Sequence, residues 1–254
     1  MRAGHVHALY VHGTSRVHRL EAHVKVAAML LFVLAVVATP RQAFWAFGIH
    51  AMLVGGATAA ARIPPGFLLR RLLLLTPFVL FAVFLPFFGG GARTEVAGLS
   101  LSVEGLWGAW TILAKATLGV TASIVMAATT EVPDILLGLD RLRVPRLITA
   151  IAGFMIRYLD VVLGEMHRMR IAMMSRGYDP RWIWQGGALA ASAGALFIRS
   201  YERGERVYQA MVARGYEGEM PVLSSEPTRA GSWFRALALP SMAWMAAVTA
   251  IFVT

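Results

Sequence analysis

Five apolar runs punctuate the chain, and each is bounded by residues that stop a helix. Crossing a bilayer takes roughly 20 mostly apolar residues in helical form. Val24–Thr39 is short but almost wholly apolar, and Pro40 ends it. Ala43–Ala61 follows and stops at Arg62 and the Pro64-Pro65 pair. Leu72–Phe88 is the most hydrophobic run, closed by Gly89-Gly90-Gly91. Leu106–Ala128 is a fourth, interrupted by Lys115, and Trp233–Val253 is a fifth. The pattern predicts an all-α integral membrane protein with about five transmembrane helices plus long cytoplasmic helices.

The stretch between the fourth and fifth runs has a different character. It alternates apolar and charged residues at helical spacing, which divides the chain into 1–128, 129–232 and 233–254. Asp134–Leu142 is a short amphipathic piece between Pro133 and Pro145, with Ile135, Leu136 and Leu139 on one face. From Arg146 the chain reaches Arg176 without another proline. Ile148, Ile151, Met155, Leu159, Val162, Met166 and Met169 fall near a 3.6-residue period along it. Gly177 is placed to end this arm in the left-handed conformation, and Pro180 prevents its resumption. A second arm is expected from about Trp182 to Arg214, ending the same way at Gly215. Within it, Gly186–Ile198 is apolar but too short to span easily, and fits either a buried helix or part of a tilted one.

Composition supports the membrane reading: 57% of residues are hydrophobic and 15% charged, against about 25% charged in a soluble domain. The net charge of +10 is carried almost wholly by arginine, since Lys25 and Lys115 are the only lysines. With a cytoplasmic amino terminus and five alternating spans, the basic residues segregate. Arg2, Arg16, Arg19 and Lys25, then Arg62, Arg70 and Arg71, then fourteen between Arg141 and Arg235 fall inside; Arg41 and Arg93 fall outside. The positive-inside rule produces that bias without nucleic acid as a partner. Absence of cysteine excludes disulfides, thiolate metal sites and cysteine nucleophiles. Residues 1–23 are polar, hold five histidines and do not read as a cleavable signal.

The most telling feature is a repeat. AMMSRGYD (Ala172–Asp179) returns 38 residues later as AMVARGYE (Ala210–Glu217), with Arg168 matching Arg206 upstream. A cation in a last helical turn favours the helix dipole by about 0.3–1 kcal/mol, which by itself accounts for Arg176 and Arg214 as caps. The duplicated Arg-Gly-Tyr-acid context points further, to two helix tips that each present a fixed cation to an acidic groove on a partner. Met155, Met166, Met169, Met173, Met174 and Met211 crowd the same arms, as core filling or as a contact surface that can repack.

These segments resemble the transmembrane T components of energy-coupling factor (ECF) transporters. SRVHRLEAHVK (Ser15–Lys25), TTEVPDILLGLDRLRVP (Thr129–Pro145), RYLDVVLGEMHRMRIAMMSRG (Arg157–Gly177) and RSYERGERVYQAMVARGYEGEMP (Arg199–Pro221) carry the resemblance, which is nearest the cobalt-type, CbiQ-like branch. It implies a scaffold in the bacterial cytoplasmic (inner) membrane that couples two ATP-binding cassette ATPases to a separate substrate-binding membrane subunit. It also implies that the coupling motifs are Ser175-Arg176-Gly177 and Ala213-Arg214-Gly215, each docking one ATPase, with Ser175 standing where alanine is common. ATP and Mg²⁺ would belong to the partner ATPases, no cofactor to this chain, and the cargo would be cobalt, with nickel or a vitamin as alternatives.

Other chemistry is sparse. No G-x-x-x-x-G-K-[ST], H-E-x-x-H or G-x-S-x-G is present, so the chain is expected to be non-catalytic and to need ATPases as partners. His5, His7, His12, His18 and His23 are an alternative metal site for Co²⁺ or Ni²⁺, although in the cobalt systems the chain resembles, the metal site belongs to the substrate subunit. Lys115 within a span is a candidate functional residue by default, or else snorkels or pairs with Glu104 or Glu131. A stand-alone secondary transporter or channel would use Lys115 and the arginines for an anion, and would need polar residues converging at mid-membrane, of which there are few besides Lys115, Thr111, Thr117 and Thr121. An intramembrane enzyme would use Glu131, Asp134 and Asp140, which are thinly spread.

Overall fold

A computed structural model describes residues 10–96, 99–178, 186–218 and 230–253. Each apolar run of the sequence is helical. Pro40 ends α1 (Ala22–Ala38), and Thr39 closes it twice, donating its amide (3.1 Å) and its hydroxyl (2.8 Å) to the Ala35 carbonyl. α2 (Phe44–Ala60) runs to Arg62, whose left-handed backbone, φ 56°, turns the chain.

The third run is longer than its hydrophobicity indicated and is broken inside. α3 (Pro65–Leu72) starts on a proline, where the missing N–H costs nothing. It passes through a tighter turn, Leu73–Leu75, into α4 (Thr76–Phe88). Pro77 has no N–H for the Leu73 carbonyl four residues back, and the Thr76 hydroxyl donates to it instead at 2.5 Å.

After Gly91 (φ 88°) comes an element that a reading of apolar blocks does not contain. It is an antiparallel hairpin of β1 (Arg93–Val96) and β2 (Leu99–Ser102), paired Arg93 to Ser102 and Val96 to Leu99. Ser102 then accepts the Gly105 amide (3.1 Å) and starts α5 (Val103–Thr129). α6 (Val132–Arg141), α7 (Arg146–Ser175), α8 (Gly187–Val212) and α9 (Ala230–Val253) complete the described helices. The short apolar piece 186–198 is thus the first half of one continuous helix. By length and composition, Pro65–Phe88, Val103–Thr129, Arg146–Ser175 and Gly231–Val253 could each cross a membrane, and α1 and α2 are shorter apolar helices. The protein is an all-α membrane protein. α7 meets the same criterion although Arg157, Asp160, Glu165, Arg168 and Arg170 interrupt it.

The chain divides into two units. One holds His7–Leu142 with Pro227–Thr254, so α6 belongs with the main helical bundle; the other holds Arg143–Glu226. The bundle's core joins α1, α2, α5 and α9 through Phe32, Val36, Phe47, Leu118, Ala243 and Ala247. Ala35 of α1 and Ala243 and Ala247 of α9 are fully buried in this core, where small residues let helix backbones approach closely. Trp244 Nε1 reaches across to the Leu31 carbonyl at 3.0 Å. His50 is fully buried, 2.9 Å from Thr39 Oγ1, whose own proton goes to Ala35, so the imidazole Nε2 is the donor.

Two lysines fasten α1 to α5. Lys115 Nζ of α5 donates to the Val37 carbonyl at the end of α1 (2.6 Å), and Lys25 Nζ of α1 donates to the Thr129 carbonyl at the end of α5 (2.8 Å). α6 lies against the start of α1, and the contact is backbone to backbone. A Cβ on Gly138 would stand 2.8 Å from the His23 nitrogen and 3.1 Å from the Ala22 carbonyl carbon. Replacing a mid-helix glycine with alanine ordinarily gains about 0.5–1 kcal/mol. Gly138→Ala should instead lose about 1–3 kcal/mol through overpacking. Thermal unfolding in detergent should show a lower Tm for Gly138→Ala and no loss for Gly119→Ala, where nothing lies within 4 Å of the new methyl.

Candidate functional site: two matched helix tips

The duplicated motif forms the same structure twice. At the end of α7, Gly177 takes φ 76°, and three amides turn back: Arg176 to Met173 O (3.1 Å), Gly177 to Met174 O (3.0 Å) and Tyr178 to Met173 O (3.1 Å). At the end of α8, Gly215 takes φ 84°, with Arg214 to Met211 O (2.9 Å), Gly215 to Val212 O (2.9 Å) and Tyr216 to Met211 O (3.0 Å). This is the Schellman closure, in which a left-handed residue lets two amides reach back to carbonyls the helix would leave orphaned. It assigns most of the repeat. Glycine supplies the left-handed backbone, and the half-buried methionine and tyrosine occupy the paired positions that commonly pack together.

Arginine is the residue this closure does not require. Arg176 and Arg214 are both exposed, and among the described residues neither has an ion-pair partner. Each sits at the negative end of its helix dipole. Gly177 and Gly215 are exposed beside them. Ser175 and Ala213 occupy equivalent places, and the Ser175 hydroxyl donates into its own helix, to the Ile171 carbonyl at 2.7 Å. Glu217 is exposed, while its counterpart Asp179 lies outside the described residues, as do Pro180, Trp182 and Pro221.

The arms are joined at equivalent positions. Glu165 accepts from Arg199 Nη1 (3.0 Å) and Arg203 Nη2 (3.4 Å). Glu165 and Arg203 are 38 residues apart, the offset of the repeat, so the ion pair links one copy's residue to its match. Each tip arginine lies eleven residues beyond its member of that pair, about 16 Å along its helix. Beside the first tip, α7 and α8 enclose an apolar hollow of about 500 Å³ lined by Met166, Met169, Met173, Met174, Leu189 and Leu196. Met155, Met166 and Met174 are exposed, so these methionines are not the filling of a core.

The remaining candidates separate. Lys115 is half-buried and bonded to Val37; among the described residues no carboxylate lies within ion-pair reach, so pairing with Glu104 or Glu131 is not what holds it. His18 is structural. Nε2 donates to the Val11 carbonyl (2.9 Å), and in the neutral ring Nδ1 accepts from the Ser15 hydroxyl (2.7 Å). His23 lies 3.7 Å from Glu21 and edge-on to Trp233. His5 and His7 lie outside the described residues, among which no cluster of His, Asp and Glu could hold a metal. Glu21 is a node that the sequence pattern did not single out. It pairs with Arg141 of α6 (3.3 Å) and accepts from Ser232 of α9 (3.4 Å), partners more than a hundred residues away.

The cobalt transport protein family CbiQ matches residues 13–223, a span that takes in both tips. An energy-coupling factor transporter transmembrane protein, EcfT, from Bacillus selenitireducens is 24% identical over 223 residues, 82% of each chain. Its counterpart from Bacillus subtilis is 25% identical over 232 residues, covering 82% of this chain and 83% of its own. The cobalt transport protein CbiQ of Rhodobacter capsulatus is 31% identical over 131 residues, 51% of this chain and 53% of that one. The chain is a multi-pass membrane protein of the CbiQ cobalt transport family, similar along most of its length to the transmembrane components of ECF transporters.

Proposed function

We propose that this chain is the non-catalytic coupling subunit of an ATP-driven ECF-type importer. The observation that carries the reading is the pair of matched tips. Two helices end in the same closure, each exposes an arginine the closure does not need, and each lies the same distance from the Glu165–Arg203 link. Two equivalent cationic tips suit two equivalent partners, and ATP-binding cassette ATPases work as pairs. On each, an acidic groove would receive Arg176 or Arg214 through charge-assisted hydrogen bonds. ATP and Mg²⁺ then belong to the ATPases, and closure of the pair moves the arms and, through them, a separate substrate-binding membrane subunit.

The arginine distribution supports a bacterial inner-membrane protein with cytoplasmic amino terminus and arms. Residues 129–232 serve as the coupling region between the bundle's first four spans and its last. Cobalt is proposed as cargo on the strength of the family's description and of the Rhodobacter capsulatus relative.

Affinity purification in mild detergent should bring down two ATP-binding subunits and a further membrane protein, whose identity would report the cargo. Isolation of the chain alone, with solute transport in liposomes without ATP, would overturn the reading. Truncating a well-placed interface arginine costs on the order of 2 kcal/mol. Arg176→Ala with Arg214→Ala should therefore cut ATPase recovery at least about tenfold and abolish cobalt uptake, with an unchanged gel-filtration profile. Retained uptake in a stable complex would remove the docking role.

Gly215→Ala keeps the cation but costs about 1 kcal/mol of left-handed strain. Hydrogen exchange at the Gly215 and Tyr216 amides should quicken, with a smaller loss of ATPase recovery than the double arginine variant shows.

A further inference from the structure

A second feature lies in the bundle, apart from the arms. α1, α2, α5 and α9 leave an open cleft of about 500 Å³ between them. It exists because facing positions carry almost no side chain: Gly56, Ala57 and Ala60 of α2, Ala122 of α5, and Ala236 and Ala238 of α9. Longer apolar residues, among them Met29, Met52, Leu239 and Met242, form the rest of the wall.

Its depth and polarity are ordered. The lining runs from Lys25 to Phe32 on α1, Met52 to Ala60 on α2, Ala122 to Thr129 on α5 and Arg235 to Met242 on α9. Each stretch is seven or eight residue steps, about 10–12 Å. That is within one leaflet, half of a hydrocarbon core of about 30 Å. Lys25 and Arg235 both stand at the start of their stretches. No carboxylate is among the described lining residues, and Thr129 is the one other polar side chain there. Arg235 is exposed and donates Nε to the Gly231 carbonyl (2.9 Å), and among the described residues no carboxylate pairs with its guanidinium. Lys25 is buried and donates its hydrogen bonds inside the bundle, to Thr129 O (2.8 Å) and His18 O (3.4 Å), so Arg235 is the exposed cation of this end.

We propose that this cleft binds one anionic phospholipid, with an acyl chain along the alanine-lined wall and the headgroup phosphate at Arg235. A cationic end and an apolar groove one leaflet deep match the two parts of such a lipid and no soluble anion. The proposal does not depend on the importer reading, since it concerns the bundle alone.

The test is native mass spectrometry of the full chain released from detergent micelles, titrated with phosphatidylglycerol and with phosphatidylcholine of the same acyl chains. A basic residue near the membrane surface is worth about 1 kcal/mol toward an anionic lipid, so phosphatidylglycerol should be retained about fivefold better. Arg235→Gln, an exposed position that leaves the fold alone, should remove that preference and keep the weaker phosphatidylcholine binding. Met242→Trp, which fills the cleft, should reduce both. Equal retention of the two lipids overturns the proposal, as does a preference that survives Arg235→Gln. So does loss of the preference in millimolar inorganic phosphate, which would assign the cations to a free anion. Retention unaffected by Met242→Trp would place the lipid elsewhere and sink it equally.

Discussion

Two lysine-to-carbonyl bonds join α1 to α5, and they are reciprocal. A helix leaves its last carbonyls without partners, and in a bilayer no water is available to supply them. α1 ends on Lys115 of α5, and α5 ends on Lys25 of α1. Each helix therefore closes the other's carboxyl end, which fixes the two as antiparallel neighbours. Other contacts follow from that placement. With α5 anchored beside the start of α1, the Val11 amide can bond Ala128 O (2.9 Å), and His18 folds the leading segment back onto Val11. α6 can then lie on the Ala22–His23 backbone through Gly138, where Glu21 receives Arg141 and Ser232.

The arms obey the same rule by local means. α7 and α8 have no lysine to close them, and their final carbonyls turn instead to amides of the following loop, which only a left-handed residue permits. Sequence repetition at these ends is therefore to a large degree repetition of a backbone solution. Capping explains glycine, and the paired positions explain methionine and tyrosine. The arginines remain, exposed and matched. Separating the residues that make the tip from the residue the tip presents gives the duplicated arginine its weight.

What could be read from the sequence was whatever depends on neighbours along the chain. Apolar runs located α1, α2, α4, α5 and α9, while Gly177, Gly215, Pro40 and Pro145 marked helix ends, because each acts through its own backbone. The break at Leu73–Leu75 was hidden because Pro77 lies inside the most hydrophobic run, where side-chain character says nothing of a missing N–H. The hairpin escaped because its strands are four residues each and sit beside a glycine run that reads as loop. The partners of Lys115, Glu21 and Glu165 could not be found from spacing, since each lies on another helix. Lys115 was the instructive case: a cation in a span suggests a carboxylate, yet a helix end offers a carbonyl that serves as well.

The two kinds of cation divide this labour consistently. Lysine, a compact charge with three donors, closes helix ends inside the bundle, whereas the arginine pairs are made to carboxylates: Arg141 to Glu21, Arg199 and Arg203 to Glu165, Arg206 to Glu202. That division meets a limit of supply. The chain has 24 basic and 14 acidic side chains, so a positive surplus of ten remains even if every acid is paired. A surplus of that size is balanced from outside the chain, by counterions in solution and by lipid phosphate at the membrane surface. Arg235 sits where a lipid can reach it, and Arg176 and Arg214 sit at helix tips with their backbones already satisfied. The charge balance and the hydrogen-bond pattern thus point to the same few arginines as the places where this protein meets its surroundings.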